Sequence, residues 1–166
     1  MPGVDGPAPN AGLRVLPGGP PATERPSVDY GDRPLLVYWE LTRACDLACR
    51  HCRAEAVSRA DPRELSVRAG HELLEDLAIF GDPLPHLVLT GGDPLKRPEF
   101  FELIDHARRL GFAVAVTAAG TPLLTRRTIR RLRRAEARMI ALSLDGGLAP
   151  SPTTHYEACR EASPRR

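Results

Sequence analysis

Three of the chain's four cysteines fall within eight residues, Cys45-Asp46-Leu47-Ala48-Cys49-Arg50-His51-Cys52. The spacing C-x-x-x-C-x-x-C lets three soft thiolates reach one compact soft-metal centre, and the candidates are zinc and an iron–sulfur cluster. A structural zinc site wants four closed ligands, and His51, adjacent to Cys52, is poorly placed to join the same ion. On a cubane of four irons, three thiolates leave one iron without a protein ligand, which suits a substrate or cofactor that binds metal directly. The fourth cysteine, Cys159, stands far away in a polar tail and is expected to have no role; the set is not a disulfide framework. Two further segments carry unusual residues: Gly91-Gly92-Asp93-Pro94, by itself an ordinary turn sequence, and Ser143-Leu144-Asp145-Gly146.

The elements that must position these segments are legible as alternating strands and helices. Leu35-Leu36-Val37-Tyr38-Trp39 is a continuous apolar run of the kind expected in a strand covered on both faces, and the cysteine segment follows it directly. Ser66 is placed to cap a helix carrying Leu73, Leu74, Leu77 and Ala78 at helical spacing, stopped at Phe80-Gly81-Asp82-Pro83. Leu87-Val88-Leu89-Thr90 reads as a second strand. Pro98 then suits a first helical turn, Phe101, Ile104 and Ala107 share one face, and Gly111 closes that helix. Phe112 to Val116 reads as a third strand. Thr125 is placed to cap a third helix, with Leu124 and Ile129 spaced as a hydrophobic staple, and Met139 to Leu144 makes a fourth strand. Such alternation calls for parallel pairing with right-handed crossovers, hence an α/β sheet or part of a barrel. In that architecture ligands bind at the carboxyl ends of the strands. The cysteine segment, Gly91-Gly92-Asp93-Pro94, Thr117 to Gly120 and Ser143 to Gly146 all lie at such ends, so the four should converge.

The chain has 166 residues, 42% hydrophobic and 27% charged, with a formal net charge of +2. That size suits one globular domain, and the charge gives no reason to expect a nucleic-acid partner. Residues 1–33 hold seven of the 17 prolines and six of the 14 glycines and read as a disordered leader. Residues 34–146 form the core, and 147–166 an irregular tail. No apolar stretch is long enough to cross a bilayer and the first thirty residues lack a secretion signal's pattern, so a cytoplasmic protein without membrane contact is expected. Arg126, Arg127, Arg130, Arg131, Arg133, Arg134 and Arg138 crowd the third helix; with Ile129 and Leu132 marking its buried side, they read as a solvated outer face. Glu40 either faces the cavity or pairs with Arg43.

Together the stretch Trp39 to Cys52, the Gly91-Gly92-Asp93-Pro94 turn after the second strand and Leu142-Ser143-Leu144-Asp145-Gly146 at the fourth resemble the radical S-adenosylmethionine superfamily. The resemblance covers residues 34 to about 146. Within the superfamily it is nearest to members with a C-terminal auxiliary-cluster domain, called SPASM-type, which modify peptides or tetrapyrrole-type cofactor precursors. It implies that Cys45, Cys49 and Cys52 hold a [4Fe-4S] cluster whose fourth iron is chelated by S-adenosylmethionine. Reductive cleavage then gives a 5′-deoxyadenosyl radical that abstracts hydrogen from substrate. It also implies that His51 lies against the adenine, that Gly91 and Gly92 let backbone approach the methionine moiety, and that the backbone near Asp93 or its carboxylate takes the amino group. Pro94 stiffens the turn, and Ser143 and Asp145 contact the ribose. Relatives often read threonine-asparagine-glycine where this chain has Thr117-Ala118-Ala119-Gly120. The family closes six strand-helix units, whereas four are visible here, so the expectation is a partial (β/α) barrel with an open edge. That describes either a truncated gene product whose turnover is in doubt or a chain completed by a partner. The implied partners are an electron donor such as a flavodoxin or ferredoxin and a peptide or small-molecule substrate. The competing reading is a non-catalytic metal- or iron–sulfur-binding module serving structure or electron transfer.

Overall fold

The structure is a computed structural model that describes residues 31–47, 49 and 52–142. Four strands and three α-helices alternate along it: β1 (Leu36–Glu40), α1 (Val67–Ala78), β2 (His86–Thr90), α2 (Phe100–Arg109), β3 (Val114–Ala118), α3 (Arg126–Arg134) and β4 (Met139–Leu142). The sheet order is β1-β2-β3-β4 and every pair is parallel, so each helix is a crossover between neighbouring strands. This is the α/β arrangement expected, an open, four-stranded part of a (β/α) barrel. The proposed leader and tail fall almost wholly outside the described residues, as do Ser143 and Leu144 of the expected fourth strand.

Local signals place the elements. The Ser66 hydroxyl accepts the Ala69 N–H at 3.2 Å and the Thr125 hydroxyl accepts the Thr128 N–H at 3.0 Å, so both expected caps are formed. Gly111 adopts φ +98, and the bonds Gly111 N to Arg108 O and Phe112 N to Ala107 O close α2 in a paired-bond motif that needs this left-handed residue. That closure explains why β3 begins at Val114: Phe112 is used to end the helix. The same motif ends α3 with Glu136 at φ +55, where its carboxylate pairs with Arg108 at 2.7 Å. Pro98 lies ahead of α2 rather than within its first turn. An unforeseen 3-10 turn, Pro94–Lys96, comes first, and Pro98 belongs to the turn closed by Phe100 N on Arg97 O.

The helices cover one face of the sheet. Trp39, Leu87, Leu89, Val114 and Val116 point into a core shared with Leu74, Phe100, Leu103, Ile104, Ala107, Phe112 and Leu132. In α2, Ile104 and Ala107 are fully buried as expected, while Phe101 is only half-buried beneath the Arg131 guanidinium and Phe100 and Leu103 are buried instead. Two other expectations fail because among the described residues no helix packs on the second face and nothing packs beyond β4, although Val88 on that face is buried. Leu36 and Tyr38 (67% exposed) are not covered on both faces, and Ile129 is 45% exposed. The uncovered face presents Tyr38, Val88, Ala115 and Met139 on one rung and Glu40, Thr90, Thr117 and Ala141 on the next. Glu40 makes no side-chain ion pair or hydrogen bond among the described residues; Arg43 pairs with Glu55 instead.

Candidate functional site

The cysteine segment leaves the end of β1 and is clipped shut at its base. Cys45 N–H donates to Val57 O at 2.8 Å and Val57 N–H to Arg43 O at 2.9 Å, making a parallel bridge between Ala44 and Val57. Within the loop Cys52 N–H donates to Cys49 O at 3.1 Å. The Arg43 guanidinium holds the returning limb through Ala54 O at 3.2 Å and Glu55 O at 2.7 Å. Cys45 is buried, Cys49 and Cys52 are half-buried, and none of the three is in a disulfide. Burial pushes the Cys45 thiol up from its ordinary range, against the Leu47 N–H that favours its thiolate; Asp93, Asp46 and Cys52 push the same way as burial.

Beneath this loop lies the turn after β2, and the two are joined through backbone. Leu41 N–H donates to Thr90 O at 2.9 Å, Gly92 N–H to Thr42 O at 2.8 Å and Asp93 N–H to Ala44 O at 2.7 Å. The glycines are required by that approach. A Cβ on Gly91, which holds φ +141, would lie 2.2 Å from Thr42 O, and one on Gly92 would lie 2.6 Å from both Arg43 O and Ala44 O. Both positions are therefore filled by the chain's own backbone, whatever ligand also meets the turn. Pro94 is buried at the start of the 3-10 turn.

Asp93 is fully enclosed. Its carboxylate accepts the Leu95 N–H at 3.1 Å and the Thr121 hydroxyl at 2.6 Å, tying the end of β2 to the segment after β3. Burial holds its carboxyl above the usual carboxylate range, opposed by the Thr121 hydroxyl and the Leu95 and Ala119 N–H groups. Three of the four sequence-predicted segments, the cysteine loop, Gly91 to Pro94 and Thr117 to Gly120, thus meet at the carboxyl end of the sheet. His51, Ser143 and Asp145 lie outside the described residues.

Sequence reasoning missed the supports. Thr42 Oγ1 donates to Glu64 Oε1 at 2.7 Å, and the same oxygen accepts from Arg43 N at 3.2 Å and Asp61 N at 3.1 Å. Buried Arg97 donates to Leu41 O at 2.8 Å and to Leu65 O. Lys96 pairs with Asp46. No local pattern announces such partners; the one available signal was that Thr42 stands between a strand and a cysteine.

As a donor set, three cysteines outside any disulfide, on a loop whose ends are already fixed, suit an iron–sulfur cluster. No group of three or more His, Cys, Asp or Glu among the described residues is gathered to hold a metal ion. A cubane is several times wider than an ion and takes thiolates from points further apart.

Comparison with known proteins agrees. The model of the Radical SAM superfamily matches residues 39–165. The chain is 38% identical over 122 residues to the AdoMet-dependent heme synthase of Oleidesulfovibrio alaskensis, covering 74% of this chain and 30% of that protein. It is 36% identical over 115 residues to the Fe-coproporphyrin III synthase of Methanosarcina barkeri, covering 69% and 28%. With the mycofactocin maturase MftC of Mycobacterium tuberculosis it shares 35% over 118 residues, covering 71% and 29%. The match therefore spans about three tenths of the length of these relatives. Among the described residues no helix is long and apolar enough to cross a membrane. With the family model covering most of its length and three motif-bearing segments meeting at one end of a parallel sheet, the chain belongs to the Radical SAM superfamily, whose members bind a [4Fe-4S] cluster and S-adenosylmethionine.

Proposed function

We propose that this chain is the cofactor-binding part of a radical S-adenosylmethionine enzyme acting on a peptide or tetrapyrrole-type precursor. Cys45, Cys49 and Cys52 hold the cluster, Gly91 to Pro94 receive the methionine end of the cofactor, His51 lies against the adenine, and Ser143 and Asp145 meet the ribose. The observation that carries this reading is the backbone junction of the cysteine loop with the glycine turn, Gly92 N to Thr42 O and Asp93 N to Ala44 O. It puts the two motifs side by side at the end of the sheet where α/β proteins bind ligands. The names of the relatives, heme and coproporphyrin synthases and a mycofactocin maturase, support the substrate class.

When bound, the cluster and S-adenosylmethionine supply a 5′-deoxyadenosyl radical that takes hydrogen from substrate. The chain's residues set the stage. The Asp93 carboxylate is enclosed and already bonded to Thr121 and Leu95, so it acts by holding the turn. The cofactor's amino group then falls to the Gly91 and Gly92 carbonyls, which carry no hydrogen bond among the described residues. Substrate approaches over the uncovered face, where Glu40, Thr90 and Thr117 make a polar rung above apolar Tyr38, Val88, Ala115 and Met139. Further strands, from the same protein or a partner chain, close this face, and a flavodoxin or ferredoxin in the cytoplasm delivers the electron.

Anaerobic reconstitution with iron and sulfide tests the reading. It should give one [4Fe-4S] cluster per chain, seen as a broad charge-transfer absorption, and 5′-deoxyadenosine on adding S-adenosylmethionine and dithionite. Iron without that product would reduce the chain to a cluster-binding module, and zinc alone would remove the reading altogether.

A further inference from the structure

Lys96 is the only lysine in a chain that otherwise uses arginine for its basic side chains. It sits at the end of the 3-10 turn that continues Gly91 to Pro94, with its side chain 21% exposed. Its ammonium reaches both limbs of the cysteine loop: Asp46, immediately after Cys45, and the carbonyl of Ser58 at 3.4 Å, immediately after the Val57 that closes the loop base. A compact ammonium with three donors on a flexible stem can serve two acceptors in different directions, where a planar guanidinium has its donors fixed in a fork. The same turn grips the loop from below through Gly92 N to Thr42 O and Asp93 N to Ala44 O, at a distance of approach that only glycine permits at positions 91 and 92.

We propose that the segment Gly91–Lys96 is a clamp that forms the cysteine loop's two ends before any cluster is present, with Lys96 as its positioning residue. The clamp acts through backbone junction and ion pair, so that part of the ordering entropy of the loop is met on folding and not on cluster binding. The proposal rests on the assignment of the cluster to Cys45, Cys49 and Cys52 and adds a residue to it.

Two measurements decide it. In the iron-free chain, residue-resolved amide exchange should show Gly92 and Asp93 already protected, with no further change on adding S-adenosylmethionine; free exchange in the iron-free chain overturns the clamp. In the anaerobically reconstituted full chain, Lys96→Gln should lose iron to a ferrous chelator about fivefold faster than the parent, and Asp46→Asn about equally faster. The double variant should be no faster than either single change, with helix content by circular dichroism unchanged throughout. A parental rate for Lys96→Gln, or a double variant equal to the product of the singles, overturns the role of Lys96. If the parent chain takes up no cluster at all, the cluster assignment fails, and the exchange measurement still decides the clamp.

Discussion

β2 and β4 are both short apolar strands on the same sheet, yet they live in different surroundings. β2 has a neighbour on each side, and Leu87 and Leu89 are completely enclosed under α1 and α2; every residue of β4 is exposed, Met139 by 60%. The strand ends differ in the same sense. From Thr90 to Asp93 the chain is bonded to the β1 end by three backbone hydrogen bonds and pinned to Thr121 through Asp93. The end of the molecule that carries the cysteine loop is thus built by β1, β2 and the segment after β3, while the β4 edge contributes little burial.

The contrast can be broken most easily at β2. Leu89→Ala removes a fully enclosed side chain and should cost about 2–5 kcal/mol in denaturant unfolding. Gly91→Ala should come next at about 3 kcal/mol, because it forces a side chain onto φ +141 and a Cβ onto Thr42 O. Its loss should appear in iron retention as well as in stability, since Thr42 leads into the cysteine loop. A Gly91→Ala chain that unfolds at the parental midpoint would mean that the turn is not pressed against Thr42.

Asp93 sharpens the comparison by testing the pin between the β2 and β3 ends. Asp93→Ala leaves the Thr121 hydroxyl and Leu95 N–H without their buried partner and should cost about 1–3 kcal/mol. Asp93→Asn keeps the shape and one acceptor oxygen but turns an NH2 toward the Thr121 hydroxyl and the Ala119 N–H, so it should cost less than Asp93→Ala without being neutral. The pH dependence has a definite sign. The folded carboxyl is raised above its ordinary value, so between that value and its raised one the folded chain keeps a proton that the unfolded chain has released. Stability from this group is therefore greatest at low pH and falls as pH rises through the folded value. Asp61 works in the opposite direction: the Arg63 hydrogen bonds lower its carboxyl, so its contribution is lost as pH falls. The difference between parent and Asp93→Asn midpoints across pH 3 to 8 isolates the Asp93 slope, and a flat difference would show that its carboxyl is not raised.

How far the sequence alone reaches follows from which interactions are local. Ser66, Thr125 and Gly111 announce helix ends because a cap or a left-handed residue acts within a few positions of itself, and all three act as expected. The cysteine spacing is local too, and so is the strand-helix alternation that places the loop beside the glycine turn. What stayed hidden is contact between distant segments. Nothing near Glu64 marks it as the acceptor for Thr42, and nothing near Thr121 marks it as the partner of Asp93. Burial of Ile129 and Leu36 was misjudged for the same reason: an apolar side chain records only that something can cover it.

The smallest effect is expected at β4. Met139→Ser and Ile140→Thr change side chains that are already in contact with water, so the transfer term that dominates at Leu89 is mostly absent, and unfolding should shift by no more than about 0.5 kcal/mol. Iron retention should not move either, because among the described residues the bonds at the base of the cysteine loop come from the β1 and β2 ends and from Lys96. The result is informative because β4 keeps its backbone pairing with β3 from Ala115 to Ala118. If Ile140→Thr instead destabilised the chain by 2 kcal/mol, side chains at the edge would have to be buried in solution by something that packs there. The contrast between an enclosed β2 and an exposed β4 would then be lost, and with it the division between a cysteine-loop end that holds itself together and an edge that contributes little burial.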